Sequence, residues 1–334
     1  MKWFKRVLLG SLVFVCIMLL GFWLTIQTTP NPVSHLVRKQ FDTSQQGDAI
    51  YPRPDFYTQA AQQVSVESDL TYQSQNANNV MDIYTPNQLE EQVPILFWVH
   101  GGAYVGGDKR DCKDYLTMLS AESKIIVVNL NYELAPEAKY PTPVRQLNEA
   151  VAALQERQIT AIDWDHVILG GDSAGAQIAS EYLISLSNQD LQNRNQLTPA
   201  LKSTQVKNFI SLSGLLEPDK IAEIDDPISS FLFKQTGWAY FGQKDFADQT
   251  AIQNVSLAEH ADELTQAFFF TDGNEKTFTK QMKATVQSLQ NKGLAVTEVF
   301  YEKPSLGHEY QFDFSQPEAE QTFHALVRFI GENR

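Results

Sequence analysis

Apolar segments of strand length alternate with amphipathic helical segments from residue 80 onward, and this alternation restricts the possible folds more than any other feature. The segments 93–99 and 124–130 are almost entirely apolar, which is typical of strands buried on both faces of a parallel sheet. The succession predicts an α/β fold with a mostly parallel, doubly wound sheet and helices on both faces. Ligands of such sheets bind at the carboxyl ends of the strands. Strands are predicted at 80–84, 93–99, 124–130, 166–169, 206–212, 268–271 and 296–301, and helices at 111–122, 143–157, 174–187, 276–292 and 317–330.

The N-terminus has the pattern of a membrane-spanning helix. Three cations lie within residues 1–6, and residues 7–26 carry no charge. A helix needs about twenty apolar residues to cross a bilayer, and cations on its N-terminal side favour a cytoplasmic N-terminus. A secretory signal usually ends in small residues, whereas this segment ends in the bulky sequence Phe-Trp-Leu at 22–24. We therefore expect an uncleaved single-pass anchor over 1–26 in the cell membrane, with the rest of the chain outside the cytoplasm; a cleaved signal and secretion are the alternative.

Two other segments stand apart from the strand–helix alternation. Residues 27–77 are polar and interrupted by prolines, so we expect a tether and an N-terminal cap segment with one or two short helices. Residues 215–257 are too long for a simple connection between strands and contain many aromatic side chains. We predict that they form a small helical cap, or lid, within a globular domain over 78–334; a helix packed on the sheet edge is the alternative.

Composition excludes several classes of protein. A hydrophobic content of 43% argues against disorder, and a net charge of -14 argues against binding to nucleic-acid phosphates. Cys16 lies in the apolar N-terminal segment, so Cys112 is the single cysteine of the remainder. An intrachain disulfide and a cysteine-ligated zinc site are therefore not expected there.

A glycine-flanked serine follows the predicted strand at 166–169. The sequence Gly171-Asp172-Ser173-Ala174-Gly175 lies between this strand and a predicted helix. Glycines are required where a tight strand-to-helix turn leaves no room for side chains. Such a turn exposes the serine hydroxyl and directs the next backbone N–H, that of Ala174, toward the same point. We predict that Ser173 is a nucleophile.

A glycine-rich loop follows the predicted strand at 93–99. It reads His100-Gly101-Gly102-Ala103-Tyr104. The N–H groups of Gly102 and Ala103, together with that of Ala174, are predicted to form an oxyanion hole, in which each donor typically contributes about 3 kcal/mol to transition-state stabilisation. His100 is expected to tie the loop by hydrogen bonds rather than to act in catalysis.

A serine hydroxyl needs a base to take its proton. In this type of fold the chain order is serine, acid, histidine, which leaves His260, His308 and His324. His324 lies within a predicted amphipathic helix, and His260 precedes the strand that should carry the acid. His308 lies in a loop directly after the last predicted strand and is the predicted base.

The acid is expected after the strand at 268–271, where Asp272 and Glu275 compete. Glu275 lies deeper in the turn, and a strand exit usually needs a short turn before its acid can face the histidine. The sequence therefore favours Glu275, with Asp272 as the alternative. Either carboxylate can orient the imidazole and stabilise the imidazolium.

Three stretches together resemble the hormone-sensitive-lipase-like esterases, and the neighbouring carboxylesterases and kynurenine-formamidase-like hydrolases, of the α/β-hydrolase superfamily. They are the loop at 100–104, the turn at 171–175, and the stretch at 131–141, which begins Asn-Tyr-Glu-Leu-Ala-Pro-Glu. The resemblance covers about residues 78–331. It implies an eight-stranded sheet, a cap, no cofactor and hydrolysis of short acyl esters.

The chain departs from the family pattern at two places. Ala103 replaces the third glycine of the oxyanion loop, which preserves the N–H but narrows the pocket. The acid's usual Asp-Pro-Leu is replaced by Thr-Asp-Gly-Asn-Glu at 271–275.

The predicted function is hydrolysis of small carboxylic esters of short to medium acyl length through an acyl-enzyme on Ser173. An amidase or peptidase using the same residues, or a non-catalytic surface scaffold, is the alternative. The N-terminal helix is expected to bind the protein to a membrane. Binding to nucleic acid is not expected, and the sequence does not predict the oligomeric state.

Overall fold

The computed structural model describes residues 2–42, 50–89 and 92–334. Residue 1 of the predicted anchor and residues 43–49 of the predicted tether lie outside the described residues. The described strands form one eight-stranded sheet with the order β1-β2-β4-β3-β5-β6-β7-β8. The strands are β1 (Val64–Thr71), β2 (Val80–Pro86), β3 (Val93–Val99), β4 (Ile126–Leu130), β5 (Ile162–Asp172), β6 (Val206–Leu212), β7 (Ala267–Asp272) and β8 (Val296–Phe300).

The mostly parallel sheet predicted from the apolar segments is confirmed. Among the described strands, β2 runs antiparallel to both of its neighbours, while β3 to β8 pair in parallel. Seven strands overlap the predicted ones. The strand β1 is absent from the prediction because most of its side chains are exposed, which leaves no apolar pattern at this sheet edge.

Helices cover both faces of the sheet, and those of the α/β alternation overlap the predicted helices. The described α-helices are α1 (Lys2–Thr28), α2 (Asn31–Gln40), α3 (Tyr57–Gln62), α4 (Lys113–Ser123), α5 (Thr142–Glu156), α6 (Ser173–Ser185), α7 (Gln189–Asn195), α8 (Pro227–Phe241), α9 (Thr250–Gln253), α10 (Thr279–Asn291) and α11 (Pro317–Glu332).

Side chains of β3 alternate between two separate apolar cores. Phe97 and Val99 join the core under α5, α6 and α10, whereas Leu96 and Trp98 join the core under α4 and α11. Both faces of this central strand are fully buried, which explains its continuous apolar sequence. Strand β3 is therefore firmly packed on both faces up to the point where it leads into the loop at 100–104.

The helix α1 is long and apolar enough to cross a membrane. The apolar segment runs over Trp3–Thr28, and its most apolar part is not buried against the rest of the protein. An exposed apolar helix at this position fits a single-pass anchor or a signal segment.

Candidate active site

The turn after β5 places Ser173 at the carboxyl edge of the sheet. Ser173 has φ 46°, a left-handed conformation that is strained for a residue with a side chain. A Cβ atom on Gly171 would lie 2.5 Å from the carbonyl oxygen of Val99, and a Cβ atom on Gly175 would lie 2.5 Å from that of His100. The two glycines therefore allow the turn to pack directly against the end of β3.

The loop after β8 brings His308 to the serine. The distance from His308 Nε2 to Ser173 Oγ is 2.9 Å, which is a hydrogen-bond distance. The imidazole packs edge-on against the rings of Phe233 and Phe278, with centroid distances of 6.3 Å and 5.1 Å. Its side chain remains 22% exposed, so a substrate or water can reach it.

Asp272 lies behind this histidine at the end of β7. It is fully buried, and its Oδ1 lies 3.4 Å from His308 Nδ1. The carboxylate also accepts hydrogen bonds from the N–H groups of Gly273 (2.8 Å) and Phe278 (2.7 Å), which fix its position. The separation of 3.4 Å is longer than an ordinary hydrogen bond but within ion-pair range; such contacts often shorten when substrate binds.

The geometry places Asp272, and not the favoured Glu275, against the imidazole of His308. Glu275 is exposed, and its carboxylate accepts a hydrogen bond from the Ser305 hydroxyl. Its backbone also bridges to Gly307, next to the histidine. Glu275 thus helps to hold the His308 loop, whereas Asp272 already faces the imidazole from the last position of its strand and needs no further turn.

The surroundings of His308 favour its protonated form. Burial by itself lowers the pKa of the imidazole, but the contact with Asp272 and the negative charge of Asp272 outweigh it. The net effect raises the pKa of His308 above its ordinary 6.5. A base with a raised pKa holds the serine proton more firmly once it has accepted it.

The predicted oxyanion loop has an unusual backbone. Gly102, Ala103 and Tyr104 follow one another with φ values of 108°, 53° and 65°, and consecutive left-handed residues are costly without a glycine. Within the described residues, the N–H groups of Gly102 and Ala103 donate to no other group of the protein. The N–H of Ala174 is in the first turn of α6, where a helix leaves its donors unpaired.

His100 ties the base of this loop. Its Nδ1 lies 2.7 Å from the carbonyl oxygen of Gly101, and its ring stacks on Tyr132 at 4.5 Å. The Tyr132 hydroxyl donates to the carbonyl oxygen of His100 at 3.0 Å. These contacts agree with the expected positioning role.

Two acidic residues of the site are missing from the sequence prediction. Asp172 is buried, and its carboxylate accepts hydrogen bonds from the Gly101 N–H (2.8 Å) and the Trp98 indole (2.9 Å). A Cβ atom on Gly101 would lie 2.5 Å from Asp172 Oδ2 and 2.9 Å from Glu309 Oε1, so the two carboxyl groups meet beside the loop. Burial and the charge of Asp172 raise the pKa of Glu309 to about 8. The position of Asp172 inside the nucleophile turn was the available signal.

An apolar cavity of about 490 Å³ opens beside His308. This volume is within the range of small-molecule sites. Its walls include Val37 and Phe41 from α2 and its C-terminal cap, Leu232 and Phe233 from α8, and Ala103. The segment predicted as a lid therefore supplies one wall through α8.

Comparison with known proteins agrees with the fold and with the family resemblance. A family model described as alpha/beta hydrolase fold matches residues 96–311, and the chain belongs to this family. A model of the carboxylesterase family matches residues 29–136.

The solved structures that resemble the chain include several esterases. Esterase B of Lactobacillus rhamnosis superposes with a TM-score of 0.72 and 19% identity over 90% of this chain and 96% of that chain. A hyperthermophilic esterase of Pyrobaculum calidifontis gives a TM-score of 0.67 and 19% identity over 89% and 90% of the two chains.

Curated relatives align over a shorter region. Tuliposide A-converting enzyme 2 of Tulipa gesneriana is 30% identical over 112 residues, which is 29% of each chain. An esterase of Acinetobacter venetianus is 30% identical over 95 residues, or 28% of this chain and 30% of its own. The alignments thus span less than a third of these two relatives' length.

Proposed function

We propose that the protein is a serine hydrolase that cleaves carboxylic esters of short to medium acyl length through an acyl-enzyme on Ser173. The hydrogen-bond distance of 2.9 Å between Ser173 Oγ and His308 Nε2 carries this proposal. The buried carboxylate of Asp272 on the other side of the imidazole supports it, as do the names of the relatives.

In the proposed first step, Ser173 Oγ attacks the ester carbonyl carbon while His308 Nε2 takes its proton. The carbonyl oxygen becomes an oxyanion, which accepts hydrogen bonds from the N–H groups of Gly102, Ala103 and Ala174. The bond to the alcohol oxygen then breaks, and His308 returns the proton to the leaving alcohol.

The second step releases the acyl group. Water attacks the acyl-enzyme carbonyl, His308 takes the water proton, and a second oxyanion forms in the same place. Breakage of the bond to Ser173 Oγ, with return of the proton from His308, yields the carboxylic acid and restores the hydroxyl. Asp272 retains its charge throughout and stabilises the imidazolium.

Turnover of p-nitrophenyl esters of graded acyl length, beside matched anilides, tests this function. Ser173→Ala and His308→Ala should each lower kcat by about 10⁴-fold or more while circular dichroism stays that of the wild type. Activity that survives in Ser173→Ala would refute the proposal, and faster cleavage of anilides than of esters would replace the ester assignment by an amidase.

The second part of the proposal concerns α1, which we infer to be an uncleaved single-pass membrane anchor that holds the catalytic domain outside the cytoplasm. Residues 1–6 supply the cations expected on the cytoplasmic side. The C-terminal end of α1 contacts the catalytic domain, since Lys244 Nζ donates to Gln27 Oε1 at 2.7 Å and Ile26 is buried. These contacts favour retention of the helix over its removal.

A further inference from the structure

The end of α1 rests on α8, one of the two helices that wall the catalytic cavity. Gln235 Nε2 on α8 lies 3.4 Å from the carbonyl oxygen of Ile26. Lys244, just beyond α8, donates to the carbonyl oxygen of Gln27 at 3.1 Å. If α1 spans a bilayer, α8 therefore lies close to the surface of that bilayer.

The other wall is α2, which begins three residues after α1 ends. Arg38 fixes α2 to the rest of the domain, because its guanidinium donates to the carbonyl oxygens of Val105 and Ala135, each at 2.6 Å, and pairs with Glu137. Val105 belongs to the loop that follows the predicted oxyanion residues. The chain that leaves the end of α1 thus becomes part of the catalytic cavity without a long intervening linker.

Exposed apolar side chains concentrate on these same two helices. Outside α1, the described residues include five exposed large apolar side chains, and three of them lie on α2 and α8: Leu36 (57% exposed), Ile228 (71%) and Phe231 (39%). Scattered exposed apolar residues are common, but their concentration beside one cavity points to a binding surface.

The residues of α8 connect these exposed side chains with the anchor. Phe231, Leu232 and Gln235 lie three, four and seven residues after Ile228, which places all four along one side of a helix. Gln235 contacts the end of α1, Leu232 lines the cavity, and Ile228 and Phe231 are exposed. One side of α8 thus runs from the anchor past the cavity.

We propose that Ser173 acts on ester lipids that pass from the bilayer holding α1 directly into the cavity, over a surface formed by Leu36, Ile228 and Phe231. This inference rests on the proposed esterase function and on α1 as an anchor. The acyl chain occupies the apolar cavity and its ester carbonyl reaches Ser173. Water then converts the ester to a fatty acid and an alcohol that stays in the lipid phase.

The proposal requires that the lipid substrate pass into the cavity from the same membrane that holds the enzyme. An acyl lipid that left the bilayer would expose its chain to water, at a cost that grows with each methylene group. Side chains that dip into the interface beside the cavity remove much of that cost. The lipid should therefore be hydrolysed when it shares a bilayer with the enzyme, and far more slowly when it resides in another vesicle.

The test uses the full chain reconstituted in vesicles of an ether-linked phosphatidylcholine, which offers no ester of its own. Medium-chain diacylglycerol is placed either in the vesicles that carry the protein or in separate vesicles, and fatty-acid release is measured. The same preparations are assayed with water-soluble p-nitrophenyl butyrate. We expect release at least about tenfold faster when the diacylglycerol shares the enzyme's vesicles.

The variant Ile228→Ser with Phe231→Ser separates the surface from the chemistry, because neither side chain lines the cavity. It should lower release from shared vesicles by about tenfold, as expected from two lost apolar contacts, and change p-nitrophenyl butyrate turnover by less than about twofold. Val66→Ser, at an exposed position on the edge strand β1, is the matched control and should change neither rate.

The inference alone would be overturned by equal release from shared and separate vesicles, by equal release by the double variant and the wild type, or by an equal loss on both substrates. A wild-type protein that cleaves p-nitrophenyl butyrate but no vesicle lipid would overturn it as well. A protein without activity on p-nitrophenyl butyrate would instead refute the proposed esterase function.

Discussion

At the scale of single residues, the carboxylates of Asp272 and Glu275 make different contacts around His308. Asp272 faces the imidazole of His308 from inside the sheet, held by the N–H groups of Gly273 and Phe278. Glu275 accepts a hydrogen bond from Ser305 at the surface of the same loop. The first carboxylate can therefore act on the imidazole directly, whereas the second contacts the loop that carries the imidazole.

The different contacts of the two carboxylates predict different effects on kcat when each is replaced by its amide. Asp272→Asn should lower kcat by about 10⁴-fold, because the amide favours the wrong imidazole tautomer and cannot stabilise the imidazolium. Glu275→Gln should reduce kcat by no more than about threefold, since its amide can still contact Ser305 and exposed substitutions have small effects. Steady-state ester hydrolysis measures both, and the reverse ranking would restore Glu275 as the acid.

At this scale, the direction in which a side chain points cannot be predicted from the sequence. Chain order and the position of His308 after the last predicted strand were sufficient to select the histidine that the structure places against Ser173. They were not sufficient for the acid, because three residues of turn can direct either carboxylate toward the imidazole. The hydrogen bonds that fix Asp272 depend on how the chain folds around it, and no local sequence pattern predicts them.

The carboxyl pair beside Gly101 predicts a pH dependence of stability. The pKa of Glu309 rises from an ordinary 4.5 to about 8 in the folded protein, so the folded state binds more protons than the unfolded chain between these values. Stability supplied by Glu309 is therefore complete below pH 4.5 and is lost as the pH rises through about 8.

Thermal unfolding measured below pH 4.5 and above pH 8 tests whether the contribution of Glu309 to stability falls as the pH rises. Glu309→Gln keeps a hydrogen-bonding group beside Asp172 but cannot ionise, so its Tm relative to the wild type should increase as the pH rises. Glu302→Gln, at an exposed position, serves as control. A Tm difference between Glu309→Gln and the wild type that does not vary with pH would contradict the pairing of Glu309 with Asp172.

At the scale of secondary-structure elements, burial determines what the sequence reveals. The strands β3 and β4 are mainly apolar because both of their faces are covered. The predicted bounds of β3, β4 and β6 differ from the observed ones by no more than the two residues 124 and 125. The edge strand β1 carries exposed polar side chains and offers no such signal. The path of α8 along the cavity also escaped prediction, since an apolar helix has the same sequence pattern whether it packs on the sheet or beside a site.

The packing of α6 against the end of β3 gives a prediction at this scale. Gly175→Ala should lower the free energy of unfolding by about 3 kcal/mol, because the added Cβ atom would overlap the carbonyl oxygens of Val99 and His100. Gly331→Ala in α11 meets no atom within 4 Å and should raise it by about 0.5–1 kcal/mol. Urea unfolding measures both, and equal effects would show that α6 can retreat from β3.

At the scale of the whole molecule, an apolar helix and an α/β domain are joined so closely that the helix end contacts the wall of the cavity. The sequence predicted each part but not their contact, because Ile26 and Gln235 are far apart along the chain. The domain belongs to the alpha/beta hydrolase fold family, and its loops after β5 and β8 bring Ser173 and His308 together. Under the proposed anchoring, the contact of α1 with α8 places that geometry beside a membrane.

The proposed topology predicts where the protein is found in cells. A tag at the C-terminus should sediment with membranes, resist extraction at high pH, and be digested by protease added outside intact spheroplasts. The undigested protein should retain residues 1–26 by mass spectrometry. A shorter protein in the medium would establish cleavage and secretion instead.

Intact-protein mass spectrometry of the enzyme mixed rapidly with p-nitrophenyl butyrate tests the central claim most directly. The account predicts a transient mass increase of one butyryl group, localised to Ser173 by peptide mapping, which is present in samples quenched early and absent once the substrate is consumed. Ser173→Ala should acquire no such adduct. An acyl group on another residue, or ester turnover with no adduct at any time, would contradict an acyl-enzyme on Ser173.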